Sequence, residues 1–425
     1  MNTPRAKHNL FAVSANAAET AINTERATDT TLLIDMGDVL NIEPRRESNA
    51  DELTGMEEAD RIDDLGGLSG ISCNFNKAQV QHFAVLLAYA LGSVSTAAAG
   101  TGYEHTITPI SDDVDRDRSN KSFTGVFRYG DGILKRRAAS MFVDSFSATF
   151  AKDSWVKAVG TIKGTGKVTK NVTEESVTAA TNATSLTLAA NAVQGATAQD
   201  RLDNVQRIVA QTATGVWTEV AYSAVSAATP AVITITAPGV PTTAITYKIL
   251  YVPTEPAWCT FPAKVVETAL RVSEISVNVG GTWNGTAFVG GRTLTGEINS
   301  IEYSLQNALE IAFVPGGGGA YASRCFRPGR VQTLKLNREM RDAIIQNMID
   351  TNGTFGVRIL AQGAVFDGAH RYQVDMVFPK CGVLSAPISV DGKKLAEAGD
   401  IQILEDATYG SAIIKAKNLV SAYAV

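Results

Sequence analysis

Residues 71–92, ISCNFNKAQVQHFAVLLAYALG, and residues 332–353, QTLKLNREMRDAIIQNMIDTNG, share one physical grammar at an offset of 261. Each opens with a short alternation, Ile71, Cys73 and Phe75 in the first and Leu334 and Leu336 in the second, as a half-buried strand requires. Each then meets an asparagine, Asn76 or Asn337, whose side chain suits a helix N-cap, and a basic residue, Lys77 or Arg338. Apolar stripes follow at helical spacing: Val80, Phe83, Ala84, Leu87 and Leu91, then Met340, Ala343, Ile344 and Met348. Gly92 and Gly353 close the two segments, each 16 residues after its asparagine, where a left-handed C-terminal residue is expected. The pattern predicts two strand–helix units, each with a helix lying against a sheet.

The flanking sequence is rich in strands. Phe142, Phe146, Ala148 and Phe150 alternate, Lys152 to Ser154 make a turn, and Trp155 to Ile162 return, predicting a long antiparallel hairpin. Ile301, Tyr303 and Leu305 alternate in the same way, with a turn expected near Gln306 to Ala308 and a return through Leu309, Ile311 and Phe313. The lead-ins FVDSF and EINSI are offset by 155, so the two halves do not repeat at a single spacing. Between Val168 and Glu255 charges thin out and short strands read as SLTLAA, RIVAQ, WTEVAY, VITIT and TYKILYV, predicting an inserted β-sandwich bounded by Gly and Pro clusters. The expected organisation is an N-terminal half over 1–167, an inserted β domain over 168–257 and a C-terminal half over 258–425, mainly β throughout.

Composition removes several classes of function. With 38 basic against 43 acidic residues the net charge is −5, which argues against gripping nucleic acid through its phosphates. Cys73, Cys259, Cys325 and Cys381 are widely spaced and only four histidines are present, so neither a metal site nor a disulfide framework is expected. No apolar run is long enough to cross a bilayer and no signal peptide is evident, so folding in a cytoplasm is expected. The acidic stretch 51–64, DELTGMEEADRIDD, reads as a solvated loop lying on a partner subunit. GTGKV at 164–168 lacks the hydroxyl residue and glycine spacing of a phosphate loop, His82 falls inside the first helix, and Asp131 sits at a tight turn without a second carboxylate. No catalytic, cofactor-binding or metal residue is assigned, and the chain is expected not to be an enzyme.

The segment GTWNGTAFVGGRTLTGEINSIEYSLQNALEIAF, the asparagine-led second segment, PKCGVLSAPISVDG and ILEDATYGSAIIKAKN together resemble the major tail tube proteins of long-tailed bacteriophages. AETAINTERATDTT, the acidic loop, GLSGISCNFN and YGDGILKRRAASMFVDSFSATF resemble the N-terminal region of the same family, so the likeness covers residues 15–165 and 260–425. It implies tail-tube β-sheet domains with a flanking helix, whose long strands join neighbouring subunits in a continuous barrel. It further implies an inserted immunoglobulin-like domain on the exterior, and stacked rings in a virion tail assembled in the host cytoplasm. The bore would conduct DNA and the tape-measure protein, and terminator and tail-tip proteins would cap the tube. The polar alternate residues of the strands at Phe142 to Ile162 and Ile301 to Phe313 are the expected lumen lining. If each half is a tube domain, three chains make a pseudo-sixfold ring; if the halves form one domain, six are needed. The recurrence of strand and helix favours three. The N-terminal arm, the acidic loop and the C-terminal tail are the expected contacts between rings. The alternatives are another β-rich virion component, such as a tail-tip or capsid decoration protein, and a carbohydrate-binding adhesin or hydrolase built on a sandwich.

Overall fold

The computed structural model describes all residues except 1–4, 54, 111–120, 131–133, 181–182, 214, 237–244, 295, 316–319 and 425. Asp131 and the glycines at 316–319 therefore lie outside the described residues. The protein is mainly β and divides into two compact units. One comprises the chain up to Phe11, Val126–Arg137 and Val168–Phe261; the other comprises Ala12–Gly125, Ala138–Lys167 and Pro262–Val425.

The first unit is built on a two-sheet sandwich. Thr173–Ala179, Ile245–Tyr251, Val205–Ala213 and Val216–Glu219 pair in that order, and Ser185–Thr187, Val232–Ile235 and Tyr222–Val225 form the second sheet. The alternation in ITYKILY sets the arrangement: Ile245, Tyr247, Ile249 and Tyr251 are buried in one cluster with Leu186, Ile208, Val225 and Ile233.

We label the principal strands of the second unit β1 (Asn41–Ser48), β2 (Ile62–Phe75), β3 (Gly92–Ala99), β4 (Gly102–Pro109), β5 (Leu134–Ala151, which belongs to this unit from Ala138 on), β6 (Lys157–Gly164), β7 (Ile298–Gln306), β8 (Val331–Glu339), β9 (Phe355–Asp367), β10 (His370–Ser385), β11 (Ile388–Asp391) and β12 (Lys394–Ile403). The helices are α1 (Val80–Leu91) and α2 (Ile344–Asp350). Antiparallel pairing runs β1–β2–β6–β5–β7–β8–β12–β11, a continuous path of eight strands. The hairpin of β5 and β6 turns at residues 152–154, as the sequence predicts, with Asp153 at φ 58°.

α1 ends as expected, with Gly92 at φ 94° and its N–H donating to the Ala88 carbonyl. Its start differs from expectation. Asn76 does not cap it; its Nδ2 donates to Asp35 Oδ2 at 2.6 Å, while Gln79 is the N-cap in a reciprocal box with His82. Nor is one stripe buried, since all twelve residues are, Gln81 and His82 included. Burial lowers the His82 imidazole to about 3, leaving it neutral, with Nδ1 accepting from the Gln79 N–H and the ring stacked 4.0 Å from Phe75.

Glu267 completes the buried start of α1. Its Oε2 accepts from the Gln81 N–H at 2.9 Å and its Oε1 from Asn418 Nδ2 at 2.9 Å. Burial raises this carboxyl from 4.5 to about 7. The folded protein thus binds the proton more tightly than the unfolded chain, so this contribution to stability is complete below pH 4.5 and is lost as pH rises to about 7. Glu267→Gln is expected to remove that slope. The stability of the native sequence relative to the variant should fall by up to about 3 kcal/mol across this window. Parallel curves of melting temperature against pH would contradict the assignment.

The second strand–helix unit departs from its sequence reading. Asn337 is not a helix cap but a residue of β8, paired with Ser300 and Ala398. The helix begins seven residues later, at Ile344, and runs for seven residues. Asn352, at φ 49°, takes the left-handed position assigned to Gly353. The expected second hairpin is also absent from the described residues: β7 pairs with β5 and β8, whereas Glu310–Ala312 pairs with Arg324–Phe326.

Candidate functional site

The strand ladders reveal a correspondence between the halves at a different spacing. Ile42 faces Ser69 across β1–β2, and Leu305 faces Gln332 across β7–β8; both partners are displaced by 263. Cys73 faces Gly160 and Ile71 faces Ile162 across β2–β6, while Leu336 faces Gly399 and Leu334 faces Ile401 across β8–β12. The ladder of β5 with β6 has a bulge between Val143 and Ser145, and the ladder of β10 with β12 has one between Val383 and Ser385, an offset of 240. Even the glycines agree. A Cβ on Gly160 would stand 2.6 Å from Leu86 of α1, and one on Gly399 would stand 4.0 Å from Ile345 of α2, so each glycine lies beneath the helix of its own half. The group β1, β2, β6, β5 therefore corresponds to β7, β8, β12 and residues 381–391.

The two groups are joined through β5 and β7. Phe146 faces Leu305, Ala148 faces Tyr303 and Phe150 faces Ile301, all buried. The Asp144 carbonyl accepts from the Asn307 N–H, and the Lys152 N–H donates to the Asn299 carbonyl, each at 2.8 Å. These bonds place the hydrogen-bonded rungs at even-numbered residues of β5.

The strands corresponding to this joined pair lie at the two ends of the path. Among the described residues β1 has β2 as its ladder partner and β11 has β12, leaving the outer edge of each without a strand. Exposed apolar side chains mark the second edge: Val390 is 72% and Ile388 48% exposed. Unpaired edges of this kind are templates for another strand.

One face of the eight-stranded path carries the buried residues and α1 and α2. The other presents Ser145, Ser147 and Thr149 of β5, Thr161 of β6, Ser304 of β7 and Thr333 of β8. It carries charges of both signs, among them Lys157, Lys163 and Lys335 and Glu43, Glu302 and Asp400.

Groups that could do chemistry are dispersed. Among the described residues no cluster of three or more His, Cys, Asp or Glu could hold a metal ion. All four cysteines are buried and none is in a disulfide, and burial raises the Cys73, Cys259 and Cys381 thiols. The carboxylates of 51–64 are exposed, with Arg61 bridging Glu52 and Asp63. Gly164 pairs with Ser69 and Met141 in the sheet, and a Cβ on Gly166, at φ 86°, would clash with the Gly67 carbonyl, so the segment is packed against the start of β2. Among the described residues lining a cavity of 690 Å³ near Phe150, Trp155, Arg271 and Ile301, Asp153 is the one carboxylate. Among the described residues no helix is long and apolar enough to cross a membrane.

No family model and no curated protein matches the chain. The geometry of the open edges is therefore what any functional reading must explain. Sequence reasoning did not place these edges. The signals were present and slight: Val-x-Ser at Val143 and Val383, and Gly-x-Ile at Gly160 and Gly399.

Proposed function

We propose that this protein is a structural virion component, a tail tube protein, whose copies join head to tail through their sheet edges into rings that stack as a conduit for DNA. It would act without catalysis. The observation that carries the reading is the eight-stranded path with an internal junction between corresponding halves and an open strand at each end. An eight-stranded sheet could close on itself around a filled interior, yet here the end strands stay apart, so closure needs other copies. Three chains of eight strands give 24, more than the 16–18 that already leave an aqueous channel. Because the halves correspond, such a ring is a pseudo-sixfold trimer.

The face opposite the helices suits a bore. It is hydroxyl-rich and carries charges of both signs, so a passing duplex would meet no uniformly cationic surface to displace its counterions and hold it in place. On this reading the sandwich is an immunoglobulin-like decoration, and the tape-measure protein and tube-end proteins are further partners. Negative-stain microscopy of purified protein tests the proposal: threefold rings stacking into hollow tubes are expected. Monomers at every concentration would defeat it, and rings that never stack would point to a tail-tip or decoration protein.

A further inference from the structure

We propose that Lys135 and Asn171 become joined by an isopeptide bond that the folded chain forms by itself, with Glu255 carrying the protons. The three residues come from separate stretches of the first unit and meet beside the sandwich. Lys135 stands near the start of β5, Asn171 lies two residues before the first sandwich strand, Thr173–Ala179, and Glu255 lies four residues after the last, Ile245–Tyr251. A bond there ties the chain that enters the sandwich to β5.

One carboxylate holds both reacting groups. Lys135 Nζ donates to Glu255 Oε2 at 2.5 Å, and Asn171 Nδ2 donates to Glu255 Oε1 at 3.2 Å. The carbonyl of the same amide is held separately, its Oδ1 accepting from the Lys135 backbone N–H at 2.7 Å. The main chains are fixed side by side, since the Asn171 N–H donates to the Lys135 carbonyl at 3.1 Å, and the Glu255 N–H is anchored on Gln194 Oε1 at 3.0 Å. Asn171 is 3% exposed and the side chains of Lys135 and Glu255 are 13% and 18% exposed, so little water reaches the group to compete with the amine.

These are the parts that an acyl transfer needs: a nucleophile with a base on it, a carbonyl polarised by a fixed donor, and an acid on the leaving group. A proton passed along the 2.5 Å contact to Glu255 leaves Nζ with a lone pair for Asn171 Cγ. Forming the new C–N bond pushes the carbonyl electrons onto Oδ1, where the Lys135 N–H already points. Glu255 hands its proton to Nδ2, the Cγ–Nδ2 bond breaks, and the extra proton on Nζ leaves through Glu255 with the ammonia as ammonium. An amine and a primary amide become a secondary amide, with no oxidant, reductant or co-reactant. The Lys163–Asp144 pair, also 3.0 Å apart, has a half-exposed lysine and would have to expel water from a carboxylate, so it stays an ion pair.

The mass of the intact full chain tests the bond, and the native protein is the decisive sample, so the result does not hang on a variant folding. Native molecules are expected to be lighter than the sequence mass by about 17 Da, one ammonia. Tryptic digestion should leave the chain uncut after Lys135 and give a branched peptide joining Lys135 to Asn171. Glu255→Gln and Asn171→Ala, shown by thermal melts to fold, should keep the sequence mass and give linear peptides. A native chain at the sequence mass with Lys135 in linear peptides would overturn the inference. A loss of about 18 Da with Lys135 branched to Glu255 would overturn it as well, because water has then left a carboxylate. Native-level cross-linking in Glu255→Gln would overturn the part assigned to Glu255. No second copy takes part, so the bond forms whether or not chains assemble, and its absence would leave the ring reading standing.

Discussion

Val390→Pro is expected to abolish ring formation while leaving the monomer folded. The β11–β12 hairpin aligns Asp391 with Lys394 and Ser389 with Ala396, and the bond from Ala398 to Pro387 fixes which residues point inward. Val390 falls between those rungs, so its N–H points to the open edge, and its side chain is 72% exposed. Proline there removes one donor and sets its ring against the approaching strand, without taking a bond from the chain itself. A loss of about 3 kcal/mol per junction would raise the concentration needed for assembly by about 100-fold, and a ring needs every junction. The melting temperature of the monomer should move by less than about 2 °C. Val390→Ala, which keeps the N–H, should assemble with a smaller deficit. Light scattering or microscopy checks the result, and a proline variant that assembles at the native concentration would remove β11 from the interface.

The strands were legible because alternation is a local signal. ITYKILY and the Phe142 to Phe150 run place their buried residues where a pleated strand must. What was not legible was which strands sit side by side. The reading of residues 306–308 as a hairpin turn rests on adjacency in sequence, but β7 takes its second partner from β5, 149 to 161 residues away. The segments that look alike at an offset of 261 have ladders whose registers match at 263, since apolar alternation cannot distinguish two registers that differ by one strand period. Asn337 looked like a cap because its side chain suits one, yet in β8 it lies on the exposed face, where asparagine is also at home. The residue beside it, Arg338, carried the stronger clue in the wrong direction: a charged side chain was read as helix-start chemistry when it is wholly buried.

Arg338 marks a difference between the two matching ladders. Its counterpart in the first half is Phe75, which faces Ala158; in the second half Arg338 faces Glu397. Nε donates to Glu397 Oε2 at 2.8 Å, Nη2 to Asp342 Oδ1 at 3.0 Å and Nη1 to Glu297 Oε2 at 3.4 Å, with Arg292 also paired to Glu297 and Asp342. Glu397 is fully buried and Glu297 nearly so, so removing the guanidinium strands charge in a place water does not reach. Arg338→Met should therefore cost about 3–5 kcal/mol, a fall in melting temperature of roughly 6–15 °C.

Assembly should weaken as well. Gln346 of α2 donates from Nε2 to both Glu397 Oε1 at 2.6 Å and the Ala386 carbonyl at 2.8 Å, tying the network to the strand that forms the open edge. The first half suggests the rescue. Arg338→Phe with Glu397→Ala restores the Phe–Ala pair that stands between β2 and β6, and leaves Glu297 and Asp342 to Arg292. Replacing a buried ion pair with packed apolar groups is often nearly neutral, so the double variant should recover to within about 2 kcal/mol of the native protein. Thermal and denaturant melts of the three proteins separate the terms. A single variant as stable as the native chain would mean that the carboxylates find other partners, and a double variant no better than the single one would mean that the two halves do not pack alike beneath their helices.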